Sequence, residues 1–328
     1  MRKNVKKQLA LRVLSTAALV AMVSSIATAA FAAEYDVTKG SVDILAEGGK
    51  QYITQWEDKD KDTCVKDGKG KEIRDREDSD IILTTKNKDT GETETTSNTV
   101  TIDAKEGNTA NVTLQDVNIE VDTSEAKSGA IEIKGDGNTN LELNGNNTVL
   151  VENRWEEEHA AIEKADKYGT GTLTIKDDVN DNGTAKGTDA DTTGTLLAGG
   201  YHESAAIGGG AGEDLGDTSN ITITGGDITA TGGDCGAGIG GGFSAGGKNI
   251  TIAGGKVTAI GGTNGAGIGG GFFGDGNDIT IAGGKVTATG GDYGAGIGGG
   301  DHGEGKNITI TDGEVTAAGG TNGAGIGG

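Results

Sequence analysis

Apolar and polar residues alternate with period two over short stretches, and the stretches return at a fixed distance. In Ile250-Thr251-Ile252, and again in Val257-Thr258-Ala259, aliphatic residues share one face and threonine takes the other, which is the pattern of a half-buried strand. Gly254-Gly255 separates these two strands and Gly261-Gly262 follows the second. Glycine supplies the backbone freedom that a corner needs. Ala266 and Ile268 then make a third strand inside the phrase Gly-Ala-Gly-Ile-Gly-Gly, whose isoleucines are Ile207, Ile239, Ile268, Ile297 and Ile326. The steps between them are 32, 29, 29 and 29 residues. Three short strands and three corners per coil of about 29 residues predict an all-β parallel β-helix, with coils stacked at ~4.8 Å.

The register supports stacking. Ile221, Ile250, Ile279 and Ile308 are each 29 residues apart, as are Ile228, Val257, Val286 and Val315. Like residues are therefore expected to form ladders inside the solenoid, with Thr222, Thr251, Thr280 and Thr309 as a ladder outside. Earlier stretches fit with drift: Val112, Leu114, Ile119 and Val121, then Leu141, Leu143, Val149 and Val151. Leu173 and Ile175 begin a coil whose second strand comes only at Leu196, so an Asp-, Thr- and Gly-rich excursion leaves the wall between them. The expected organisation is a leader at 1–32, an irregular N-terminal cap at 33–99, and β-helix coils over 100–328, most regular at 207–328. Val42, Ile44, Tyr52 and Ile53 suggest an opening coil or cap. The array stops inside its own phrase at Gly327-Gly328, and the protein is expected to continue beyond it.

Composition agrees. There is no proline, as expected where nearly every strand N–H donates to a neighbouring coil. Aromatics are only 3%, which suits a narrow interior of Ile, Val, Ala and Gly. Arg2, Lys3, Lys6, Lys7 and Arg12 precede an apolar run that ends at Ala30-Phe31-Ala32, the layout of an export signal cleaved near Ala33. An extracellular protein, secreted or on the cell surface, is expected, with no membrane span left after the signal is removed. Taking those five basic residues from 28 leaves 23 against 50 acidic ones, a net charge of −27. Nucleic acid is then an unsuitable partner. The two cysteines, Cys64 and Cys235, do not make a disulfide framework.

These residues resemble extracellular right-handed parallel β-helix repeat proteins of Gram-positive bacteria, especially Firmicutes. The likeness rests on the opening Tyr35-Asp36-Val37-Thr38-Lys39-Gly40, on the run from Val112 to Ile119, and on the Gly-Ala-Gly-Ile-Gly-Gly-Gly arrays. It implies a right-handed coil, a structural or adhesive role, and contact with a cell-wall or host glycan.

Candidate chemistry lies where the period breaks. Trp155 with His159 in one coil, Tyr201 and His202 in the next, and Tyr293 further along all precede a third strand, so stacking places them on one edge. Aromatic rings beside polar groups are what a carbohydrate site needs. The two histidines also offer a weaker transition-metal option. In the excursion, Asp177, Asp178 and Asp181 are hard oxygen donors suited to calcium, although a solvated loop is the plainer account; no other cofactor is expected. A polysaccharide lyase or hydrolase of the pectin-degrading β-helix type is the alternative function. It needs acids in register on a strand face, and the outward positions are mostly threonine, so catalysis is not expected. Ice binding would need an unbroken Thr array, and Ile260 and Ala318 interrupt the ladder of Thr231 and Thr289.

Overall fold

A computed structural model describes residues 33–152, 159–178, 194–211 and 217–328. Within them the chain winds as a parallel β-helix of three strand ladders. The first ladder runs through Glu34–Asp36, Ile81–Thr84, Thr109–Gln115, Asn138–Asn144, Leu173–Lys176, Thr218–Ile223 and Gly247–Ile252. It continues in Thr280–Thr289 and Thr309–Ala318, each of which bends past the first corner and supplies the second strand as well. The second ladder includes Asn118–Asp122, Asn146–Glu152, Thr195–Gly199, Asp227–Thr231 and Lys256–Ile260. In the regular coils the third ladder consists of two-residue strands such as Ile239–Gly240 and Ile268–Gly269.

The ladders pair like with like. Ile228, Val257, Val286 and Val315 are successive partners, and so are Thr222, Thr251, Thr280 and Thr309. Period-two alternation thereby becomes an inside and an outside. Ile221, Ile250, Ile252, Val257 and Ile268 have no exposed surface, and each large aliphatic so buried contributes roughly 1.5–3 kcal/mol. The interrupted outer row is also in register, with Thr231 beside Ile260, Ile260 beside Thr289 and Thr289 beside Ala318.

The third strand is short because its second residue has a backbone only glycine adopts freely. Gly240 has φ +136°, and a Cβ there would lie 1.9 Å from the carbonyl oxygen of Gly269. Coils thus approach backbone to backbone at this position. Upstream the same column holds side chains: Glu163 pairs with Gly208 on one side and Glu132 on the other. Both glutamates are buried.

The interior is not wholly apolar. Asn147 is 1% exposed and stands in the inward column between Leu196 and the corner that precedes Val117. Its Oδ1 accepts from Val117 N at 3.0 Å, and its Nδ2 donates to Asn144 O and Thr195 O at 3.0 and 3.1 Å. One amide thus satisfies backbone groups of three successive coils at a turn.

At the N-terminal end, Ser41–Glu47 and Lys50–Trp56 form an antiparallel hairpin around Gly48 and Gly49, whose φ values are +58° and +75°. Two consecutive positive φ angles fit the tight turn that matches strand twist. Ser41–Glu47 also pairs in parallel with Val100–Ala104, so the third ladder reaches into the stretch expected to be irregular. The two-residue strand Arg76–Glu77 pairs on the far side of the hairpin. A short, charged outer strand is a poor template for further pairing.

Candidate functional site

Since the third strand is so short, the corner leading into it and the corner trailing it lie side by side. Phe243 N donates to Glu203 O at 2.7 Å, Phe272 N to Cys235 O at 2.8 Å, and Asp301 N to Asn264 O at 2.8 Å. Each trailing corner is fastened in this way to the leading corner of the coil before it. Together they form one edge of the solenoid.

Tyr201 and Tyr293 project from the leading corners and are 49% and 47% exposed. Cys235 N donates to His202 O, Asn264 N to Asp234 O, and Tyr293 N to Thr263 O, so these loops stack in register. Tyr293 shares its slot with Asn264 and Cys235, and Asn264 Nδ2 lies 3.7 Å from Cys235 Sγ. Three coil steps, ~14 Å along the axis, separate Tyr201 from Tyr293. Ser204 holds the Tyr201 backbone: its Oγ accepts from Tyr201 N at 3.0 Å and donates to Tyr201 O at 2.9 Å. His202 takes up a left-handed backbone, φ +46°. Trp155 lies outside the described residues. His159, by contrast, is buried against Glu163, away from any open edge.

The trailing corners carry a second aromatic group that sequence reasoning passed over. Phe272 and Phe273 stack with ring centroids 4.0 Å apart, Phe273 stacks on His302 at 5.2 Å, and Phe243 meets Phe272 edge-on at 5.6 Å. The signal was present as Phe243 and Phe272 at equivalent positions 29 residues apart.

Asp177 and Asp178 stand at the neck of the excursion. Asp177 Oδ2 accepts from Gly194 N at 3.1 Å, joining the neck's two sides. Asp178 pairs with Lys176 at 2.9 Å while its N–H donates to Glu142 Oε1 at 2.7 Å. These contacts give both carboxylates partners within the chain. Asp181 lies outside the described residues. Among the described residues, no three His, Cys, Asp or Glu side chains converge as metal ligands.

Three other features could bear on function. A polar groove of about 480 Å³ runs across the first-strand face. One wall is the threonine ladder. The other is Asn220, Asn249, Asp278 and Asn307, all in left-handed backbone, with Asn249 Nδ2 donating to Asn220 Oδ1 at 3.1 Å and Asn307 Nδ2 to Asp278 Oδ1 at 2.9 Å. A second cleft, of about 680 Å³, lies beside the N-terminal hairpin. Its Trp56 is already engaged, through Nε1 to Asp43 at 2.7 Å and through the Arg74 guanidinium 5.1 Å from its ring centroid. Finally, Glu132 and Glu163 are acids in adjacent coils, a pairing the sequence reading did not find. Burial pushes the Glu163 carboxyl above the usual glutamate range, His159 opposes the shift, and Glu132 adds to it.

A family model described as Beta helix repeat matches residues 221–243, 250–272, 279–301 and 308–328. Those stretches are successive coils of the regular array, and with the three ladders they make this chain a parallel β-helix repeat protein. Neither the curated proteins nor the solved structures yield a match. Among the described residues, no helix is long and apolar enough to cross a membrane.

Proposed function

We propose that this is a non-catalytic, extracellular β-helix protein, secreted or held at the cell surface, that binds carbohydrate through its loop edge in a structural or adhesive role. The observation that carries this reading is the exposure of Tyr201 and Tyr293 on one edge, separated by leading corners that present Asp234, Thr263 and Asn264. Rings give sugar faces an apolar platform, and the polar side chains between them suit hydroxyl groups. A rigid stacked wall fixes the spacing of these loops, which favours a ligand that is itself repetitive.

The ligand is a cell-wall or host glycan. The net charge, −22 for the full chain and −27 without the expected leader, disfavours nucleic acid as a partner. Calcium remains a proposal restricted to the excursion, where Asp181 would have to join Asp177 and Asp178. The test is a glycan array probed with the wild-type protein and with Tyr201→Ala and Trp155→Ala. Hits that weaken in either variant support the reading, and an array without hits removes it.

A further inference from the structure

Ser244, Phe273 and His302 form a row across three successive coils with the same left-handed backbone, φ being +56°, +60° and +64°. That conformation suits glycine or asparagine and strains a bulky side chain. Phe273 nevertheless occupies it and is 53% exposed. It therefore carries two costs at once, a strained backbone and a wet phenyl ring, and neither is needed for the coil, because Ser244 fills the same slot one coil earlier. Costs of this kind persist where the side chain has a task of its own.

The surroundings indicate what such a platform would take. Phe243, Phe272, Phe273 and His302 belong to three successive coils, so the platform extends along the solenoid axis. Asp275, Asp301 and Glu304 rim the same corners, Asp275 Oδ1 accepting from Glu304 N at 2.8 Å. Glu304 pairs with Lys306, and the Asp275 and Asp301 carboxylates that remain repel an anionic polymer. Five residues after each member of the row stand Asn249, Asp278 and Asn307, one wall of the polar groove. That wall of the groove therefore lies within ~17 Å of the aromatic corner, the reach of five extended residues.

We infer that this aromatic corner is the main binding platform for a neutral polysaccharide lying along the solenoid axis, with the apolar sides of its sugar rings against the exposed rim of the Phe272–Phe273 stack and hydroxyl groups toward the Asn and Thr rows. The inference rests on the carbohydrate-binding reading and adds to it the platform residues and the class of polymer. Side chains from neighbouring coils give variants that keep the wall intact: Phe273→Ser copies Ser244, and Phe272→Asp copies Asp301.

Affinity gel electrophoresis in a soluble β-1,3-glucan, a xyloglucan, a galactomannan and an α-mannan, with polygalacturonate as the anionic control, tests it. The wild-type protein is expected to be retarded by at least one neutral polymer. Phe273→Ser and Phe272→Asp should weaken that retardation at least tenfold, with thermal unfolding unchanged. Wild-type affinity in both variants, combined with loss in Tyr201→Ala, overturns the platform but leaves the broader reading standing. No retardation of the wild-type protein by any polymer overturns both. Preference for polygalacturonate overturns the neutral class. Sedimentation showing a dimer that Phe273→Ser abolishes assigns the patch to a second copy of the chain and overturns the inference.

Discussion

His159 Nδ1 lies 2.6 Å from Glu163 Oε2, in a part of the wall where Glu163 has no exposed surface. Burial raises the Glu163 carboxyl above its ordinary value of 4.5. The folded chain therefore holds this proton more tightly than the unfolded chain does. The stabilisation that follows is fully present below the ordinary value and is lost as pH rises through the raised one. Glu163→Gln is expected to flatten the fall of melting temperature as pH rises above the ordinary glutamate value of 4.5, relative to the wild-type protein. Scanning fluorimetry above that value checks it, and an unchanged slope contradicts it.

Gly269→Ala is expected to cost more than about 3 kcal/mol or to prevent folding. Its backbone has φ +136°, and an added Cβ would lie 1.9 Å from Gly298 O. Gly68 is the control, since a Cβ there meets nothing within 4 Å; Gly68→Ala should stay within about 0.5 kcal/mol. Urea unfolding of the pair decides whether the coils are as tightly stacked at the third strand as described.

This contrast bears on how much of the molecule could be read in advance. The strand faces were legible because one residue type recurs at 29-residue steps, and Ile228, Val257, Val286 and Val315 are partners as expected. The N-terminal hairpin was less so. Val42, Ile44, Tyr52 and Ile53 suggest an opening coil or cap without showing that the chain reverses at Gly48-Gly49. Periodicity cannot separate a strand that returns antiparallel from one that goes on to the next coil. Of the proposed edge, the leading corner was legible from rare aromatics. The Phe272–Phe273 pair was not, because residues adjacent in sequence stack here only through a left-handed backbone at Phe273.

Asn147 is the polar exception inside the wall, and Asn147→Ala leaves Val117 N, Asn144 O and Thr195 O without their side-chain partner. A loss of about 2–4 kcal/mol is expected. Equilibrium denaturation measures it. A loss below about 1 kcal/mol would mean that these groups find other partners.

The charged row on the second strand should matter little. Asp227, Lys256, Lys285 and Glu314 are successive neighbours, with Lys256 2.9 Å from Asp227 and Lys285 2.7 Å from Glu314. Both lysines are more than half exposed, and such pairs are worth about 0–1 kcal/mol. Lys256→Ala should change stability by no more than that, and the difference should shrink in 1 M salt. A large, salt-independent loss would show that the pair is sheltered.

The account's central claim is that ligand binding belongs to the edge formed by the leading and trailing corners, with the groove beside it, and not to the second-strand face. The most direct measurement is a crystal structure of the wild-type protein with an oligosaccharide of a polymer it binds. The account predicts sugar rings over that edge, against Tyr201, Tyr293 or the Phe272–Phe273 pair. Sugar bound only on the face carrying Thr229, Thr258 and Thr287, or in the cleft beside Trp56, would contradict it.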